Sequence, residues 1–292
     1  MRTSVRRGAQ LLIVCAVVAG ATRALAERRL VSLGGAVTET VYALGEDKSL
    51  VGVDSSSIYP EAATRLPQVG YLRQLSAEGI LALRPTLVLA SAEAGPPAVL
   101  EQLRAAGATL VLIPAENTLA GATAKLEAIA QALKAEARGA ALVRTLKAEY
   151  ARAQARVAQV SARPRVLFIY ARGGGTLLVS GSHTAADEMI RLAGGDNAVT
   201  GYPGFRPLTA EAAVAAAPDL LLVPQHGLDS VGGEEGLWKL PGLLLTPAGK
   251  RRRVVPFDDL LLLGFGPRTG QAIEALCALL HPPGDVVKRS QP

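Results

Sequence analysis

Val69-Gly-Tyr-Leu-Arg-Gln-Leu-Ser-Ala-Glu-Gly-Ile-Leu-Ala-Leu-Arg-Pro-Thr-Leu-Val-Leu-Ala90 is the stretch that decides the fold. It puts Tyr71 and Arg73 on a turn, and Ser76 follows in an N-cap position. The spacing then predicts a short helix over Ala77 to Leu83, a stop at Pro85 and an apolar strand over Thr86 to Ala90. The unit occurs twice. Laying Leu75–Ala90 over Leu208–Val223, a shift of 133 positions, gives seven identities in sixteen pairs, among them Glu78 with Glu211 and Pro85 with Pro218. Arg73 falls on Arg206, whereas Tyr71 falls on Gly204. An internal repeat of a helix–strand unit implies two similar lobes.

Around the first copy the chain alternates strand and helix. A strand from Arg29 to Leu33, a Gly34-Gly35 turn, a helix from about Val37 to Leu44 closed by Gly45 and a strand from Leu50 to Val53 precede it. A helix from Ala98 to Ala106 and a strand from Thr109 to Ile113 follow. This alternation predicts an α/β lobe with a largely parallel sheet over residues 27–116. Residues 117–160 differ: from Thr118 on they lack proline, and apolar residues recur at helical spacing, as in Leu126, Ile129, Leu133 and later Leu142, Leu146, Tyr150. Gly139 is expected to separate a first helix from a second of about 20 residues, close to 30 Å long. Sustained heptads are absent, so a rigid linking helix fits better than a coiled coil. The second lobe, 161–292, restarts with a strand from Arg165 to Ala171, a turn at Gly173–Gly175 and a strand from Thr176 to Ser180. A helix from Thr184 to Leu192 precedes the second copy of the unit. A strand from Arg253 to Pro256 and a C-terminal helix opening after Gly264-Phe-Gly-Pro-Arg268 complete it. The basic run Lys250 to Arg253 reads as a solvated turn.

Residues 1–26 read as a secretory signal peptide: Arg2, Arg6 and Arg7 precede the apolar run Leu11 to Gly20, and Ala24-Leu-Ala26 offers a small-x-small cleavage site. Cys15 lies inside the apolar run behind Val14, which argues against a lipid anchor. The formal charge of +6 loses the four leader arginines (Arg2, Arg6, Arg7, Arg23), leaving about +2 on the mature chain. That gives little case for nucleic acid as a partner. Removal of Cys15 leaves Cys277 alone, so no internal disulfide is expected, and its place among Ile273, Leu276 and Leu280 reads as buried. No later stretch is apolar enough to span a bilayer. The mature chain is expected to be exported, soluble and monomeric.

Two lobes imply a cleft, a preferred ligand site. Phosphate-binding and nucleophile-elbow motifs are absent. The mature chain has only His183, His226 and His281, a poor set for a bare metal site. An exported hydrolase using Ser182 and His183 is the remote enzymatic alternative, so a non-enzymatic role is expected. Tyr71 can be an aromatic packed on a loop. With an arginine two residues on, it can also be a stabilised phenolate, a hard ligand for ferric iron of the kind attested in haem proteins. Arg73 could alternatively pair with a ligand carboxylate.

Arg29–Leu33, Val69–Ala90, Thr184–Gly195 and Leu261-Leu-Leu-Gly-Phe-Gly-Pro-Arg-Thr-Gly270 resemble the periplasmic haem-binding proteins of bacterial haem-uptake ABC transporters, within the helix-linked class that also carries siderophores and cobalamin. The resemblance spans essentially the whole mature chain. It implies two α/β lobes bridged by a long helix with little hinge closure, haem as transported ligand, and delivery from the periplasm to a permease dimer in the inner membrane. Tyr71 matches the tyrosine that ligates haem iron, and Arg73 the arginine that serves its phenolate or the propionates. Tyr170, Arg172, Arg206 and His226 are the second-lobe positions that could supply a further ligand or a propionate partner. His226 stands as an iron ligand, a propionate partner or a surface histidine. Glu78 and Glu211 match the paired glutamates that dock on the permease, and equivalent repeat positions suit a two-fold partner. Each could instead be a capping acid, although each follows its cap by two positions, one short of the usual capping box. A siderophore or cobalamin carrier is the alternative within the class; in it, Tyr71 would be only a cleft aromatic.

Overall fold

The computed structural model describes residues 28–160, 162–171 and 177–282. The leader, Arg172 and the Gly173–Gly175 turn lie outside the described residues. The first lobe comprises β1 (Leu30–Leu33), α1 (Gly35–Ala43), β2 (Leu50–Val53), a hairpin of β3 (Gly70–Tyr71) and β4 (Gln74–Leu75), α2 (Ala77–Ala82), β5 (Leu87–Ser91), α3 (Pro97–Ala105) and β6 (Thr109–Ile113). Its four-stranded sheet, in the order β2-β1-β5-β6, is parallel throughout. Parallel strands covered on both faces need continuous apolar runs, and Leu30, Val31, Leu33, Val88, Leu89 and Ala90 are fully buried.

Two helices lead out of this lobe, α4 (Leu119–Leu133) and α5 (Glu136–Val157). The break between them is at Lys134, in the left-handed region at φ 58°, and not at Gly139, which lies inside α5. Gly139 is instead a point of close approach: a Cβ there would stand 2.3 Å from that of Ala130 on α4. The glycine therefore lets two helices touch, which sequence alone cannot distinguish from a break. At 22 residues, α5 runs about 33 Å.

The second lobe follows with β7 (Arg165–Tyr170), β8 (Leu178–Ser180), α6 (Ala185–Leu192), β9 (Asp196–Asn197), β10 (Phe205–Pro207), α7 (Ala210–Ala216), β11 (Leu220–Pro224), α8 (Gln225–Ser230), α9 (Gly233–Trp238), α10 (Pro247–Lys250), β12 (Val254–Phe257), α11 (Asp259–Leu263) and α12 (Thr269–Leu280). The sheet order is β10-β8-β7-β11-β12, with β9 also on β7. Strands β7, β11 and β12 are parallel, while β8 and β10 add an antiparallel edge. The short helices α8 to α11 carry no amphipathic period long enough to read from sequence. The basic run is solvated as expected at Lys250, Arg251 and Arg252, the last in an exposed pair with Glu235 at 2.7 Å, while half-buried Arg253 donates to the Leu280 carbonyl at 2.9 Å.

The linking helices belong to both cores. Ile129 and Leu133 pack with Leu30, Val41 and Leu44 of the first lobe. Ala122, Leu126, Val143 and Leu146 pack with Phe168, Phe265 and Leu276 of the second. Cys277 is buried there as expected. A polar tie also crosses the interface: Arg268 forks onto the buried Glu39 carboxylate at 2.6 and 3.1 Å, and its guanidinium lies 3.6 Å from the centroid of the Tyr59 ring. Burial pushes the Glu39 pKa up, against the pull of Arg268.

Candidate functional site

The hairpin sets the first wall of the site. Gly70, at φ 102°, starts it, and Tyr71 pairs with Gln74, leaving Leu72 and Arg73 as the turn. Leu72 is buried in the first-lobe core and anchors the turn, so the neighbouring side chains are held in place. Arg73 Nη1 donates to the Tyr71 hydroxyl at 3.1 Å, and Nη2 donates to Glu93 Oε2 at 2.7 Å. Burial disfavours the Arg73 charge, but Glu93 and Tyr71 outweigh it and hold the guanidinium above its ordinary pKa. The arginine is a fixed cation aimed at a phenolic oxygen.

Between the lobes lie two adjoining cavities of about 620 and 420 Å³, within the range of small-molecule sites. Tyr71, Ser56, Tyr170, Asp259 and Leu260 line both. The first-lobe rim is built tightly. Asp54 accepts from Gly34 N at 2.7 Å and from Ser56 Oγ at 2.6 Å, and a Cβ on Gly35 would meet the Ser56 carbonyl at 2.5 Å. The facing wall is apolar: the Tyr170 and Phe205 rings stand 6.0 Å apart, with Leu178, Leu260 and Leu263 beside them.

The residues singled out in the sequence divide clearly. Tyr71, Arg73 and Tyr170 line the larger cavity. His226, largely exposed at the start of α8, lines the smaller one, with Nδ1 3.5 Å from Asp259. Arg206 lines neither cavity. Successive side chains on a strand point to opposite faces, so with Phe205 turned into the cleft Arg206 faces away, its guanidinium 4.2 Å from the Tyr202 ring centroid. Arg172 lies outside the described residues. Glu78 and Glu211 are exposed in the first turns of α2 and α7. Neither makes a hydrogen bond or ion pair with the described residues. Ser76 occupies the N-cap position of α2 but forms no side-chain cap, whereas Thr209 accepts from Ala212 N at 3.1 Å.

Sequence reasoning missed Glu93 and Lys125. Glu93 follows β5 with no motif to mark it. Lys125 did leave a signal: it sits three residues after Ala122 and four before Ile129, on the apolar stripe of α4. It lines the larger cavity, is buried, and donates to the Gly264 carbonyl at 2.8 Å. Burial lowers its pKa to about 8, against the opposing charges of Glu93 and Glu39. The hydrolase alternative finds no support in the geometry: Ser182 Oγ donates to the Tyr202 carbonyl at 3.1 Å, and no hydrogen bond joins it to His183. Among the described residues no cluster of three His, Cys, Asp or Glu could hold a bare metal ion, and no helix is long and apolar enough to cross a membrane.

This architecture recurs in solved proteins. The chain is similar to the periplasmic heme-binding protein RhuT from Roseiflexus sp. RS-1 in apo form, at 48% identity and a TM-score of 0.85 over 87% of this chain and 98% of that one. It is similar to the periplasmic heme-binding protein BhuT in complex with two hemes, at 46% identity and a TM-score of 0.82 over 87% and 97%. A vitamin B12-binding protein of Yersinia pestis is 33% identical over 180 residues, 60% of this chain and 61% of that protein. Residues 30–260 match the family model described as periplasmic binding protein. With its two lobes, bridging helices and interlobe cleft, the chain belongs to the periplasmic binding protein family.

Proposed function

We propose that the protein is an exported carrier that binds ferric haem between its lobes and delivers it to an ABC importer in the inner membrane, with no catalytic step of its own. The observation that carries this reading is the Tyr71–Arg73 pair in an apolar interlobe cleft. Tyrosine is an attested axial ligand of haem iron, and a guanidinium 3.1 Å from the phenolic oxygen is a ready counter-charge for an iron-bound tyrosinate. Tyr170, Phe205 and Leu260 offer flat and apolar surface for the porphyrin faces. His226, exposed and tethered by Asp259, suits a propionate at the rim of the smaller cavity. The relatives named for haem support the ligand class.

The relative named for vitamin B12 supports the second reading, a cobalamin carrier, in which Tyr71 would be a cleft aromatic only. Equilibrium titration of the purified mature protein with haemin and with cyanocobalamin separates the two. Saturable uptake of haemin and none of cobalamin is expected, and the reverse would overturn the haem assignment. Glu78 and Glu211, exposed and without partners among the described residues, are the proposed contacts to the permease. Reversing both charges is expected to leave haem binding intact and to abolish transport into vesicles holding the permease. Normal transport by that double variant would contradict the docking role.

A further inference from the structure

Among the described residues the cleft holds a buried cation, Lys125, that feels Glu93 and Glu39 but forms no ion pair with either. Arg73 is paired with Glu93 and Arg268 with Glu39. Among the described residues Lys125 has no acid within ion-pair distance; its ammonium has the Gly264 carbonyl at 2.8 Å, which uses one of three donors. It is only 5% exposed, yet it lines the larger cavity. Burying an ammonium without a counter-ion is costly, and apolar residues hold the neighbouring positions of the same helix stripe. A lysine there fits a site completed by an anion from the ligand.

We propose that Lys125 anchors a carboxylate of the bound ligand, so that a propionate-bearing edge of the tetrapyrrole enters the larger cavity beneath α4. This inference rests on the haem reading. It assigns the bridging helix a direct part in ligand recognition, beyond joining the lobes. It also orients the ligand: Lys125 lines the larger cavity and not the smaller one, while Tyr71 borders both. The competing role for Lys125 is a tether between α4 and the Gly264 loop.

The test compares haemin with its dimethyl ester, which keeps iron and ring but lacks both charges. Each is titrated into the full mature protein, Lys125→Met and Lys125→Gln, the last keeping a donor for the Gly264 carbonyl. Loss of one buried charge-assisted hydrogen bond predicts roughly ten- to hundred-fold weaker binding of the free acid by both variants. The ester is expected to bind wild type and variants alike. An unchanged acid-to-ester ratio in the variants would overturn the proposal. Equal weakening for both compounds in Lys125→Met, rescued in Lys125→Gln, would show a tether only. If the wild type takes up neither compound, the haem reading itself fails and the anchoring role falls with it.

Discussion

Tyr71 and Gly204 occupy equivalent places in the two copies of the repeat, and that asymmetry is the ground in the sequence for proposing Tyr71 as the iron ligand. A feature that docks both lobes is expected in both copies, which is why that role is proposed for Glu78 and Glu211. A single ligand atom is needed only once. Arg73 has its counterpart in Arg206, but the two have diverged in use, since one meets Tyr71 and Glu93 and the other covers Tyr202. Arg73→Ala is therefore expected to weaken haem binding about tenfold and to shift the ferric spectrum, whereas Arg206→Ala leaves both unchanged by the same titration. Lys125 supplies a pH prediction for the ligand-free protein. Its pKa falls from an ordinary 10.5 to about 8 on folding, so the unfolded chain holds this proton more tightly. The cost of burying the charge is then in full force below pH 8 and fades as pH rises toward 10.5. Thermal melts should show Lys125→Met more stable than wild type at pH 7, with the gap closing by pH 10. A gap independent of pH would contradict this. Tyr71 and Arg73 stood out in the sequence because an arginine two residues from a tyrosine can stabilise a phenolate. Glu93 did not, because only tertiary contact gives a lone acid its meaning, and Lys125 left only its place on the apolar stripe of α4, which shows burial but not the cavity it lines.

At the scale of elements, the sequence pattern located the long strands and helices to within a few residues, because periodicity and proline or glycine punctuation both marked them. It failed where one residue type has two uses. Gly139 read as a helix break but serves as a contact point, while the break falls at Lys134, a residue with no turn signature. Gly139→Ala tests which use matters. In an exposed helix the substitution would stabilise by about 1 kcal/mol. Here the new methyl would stand 2.3 Å from the Ala130 Cβ, and overpacking of this kind costs about 1–3 kcal/mol. The net prediction is a lower melting temperature for Gly139→Ala, and recovery in Ala130→Gly/Gly139→Ala. A simple gain in stability would contradict the close packing of α4 on α5. The second-lobe sheet makes a related point. The repeat implies parallel strands β7, β11 and β12, but the antiparallel edge of β8 and β10 has no counterpart in the first-lobe sheet and brings Phe205 into the cleft.

For the whole molecule, the lobes share core residues through α4 and α5 and are tied by Arg268 and Glu39. This construction favours a cleft that is largely formed before ligand arrives. Small-angle scattering is expected to give the same radius of gyration with and without haem, and a marked contraction on binding would contradict a preformed cleft. Breaking the tie is expected to matter for stability. Arg268→Ala leaves the buried Glu39 without its partner, a change that costs about 3–5 kcal/mol, and denaturant melts of Arg268→Ala against Arg268→Met/Glu39→Gln should show the double variant recovering most of the loss. The two-lobe plan was legible in the repeat, whereas Glu39–Arg268, 229 positions apart in sequence, could be found only in three dimensions. The central claim is that this preformed cleft holds ferric haem through Tyr71. The most direct test is the visible absorption spectrum of the haemin complex of wild type and of Tyr71→Phe, which keeps the ring and removes only the ligating oxygen. A tyrosinate charge-transfer band in the wild type and its loss in Tyr71→Phe are predicted; the same band in both would contradict the assignment.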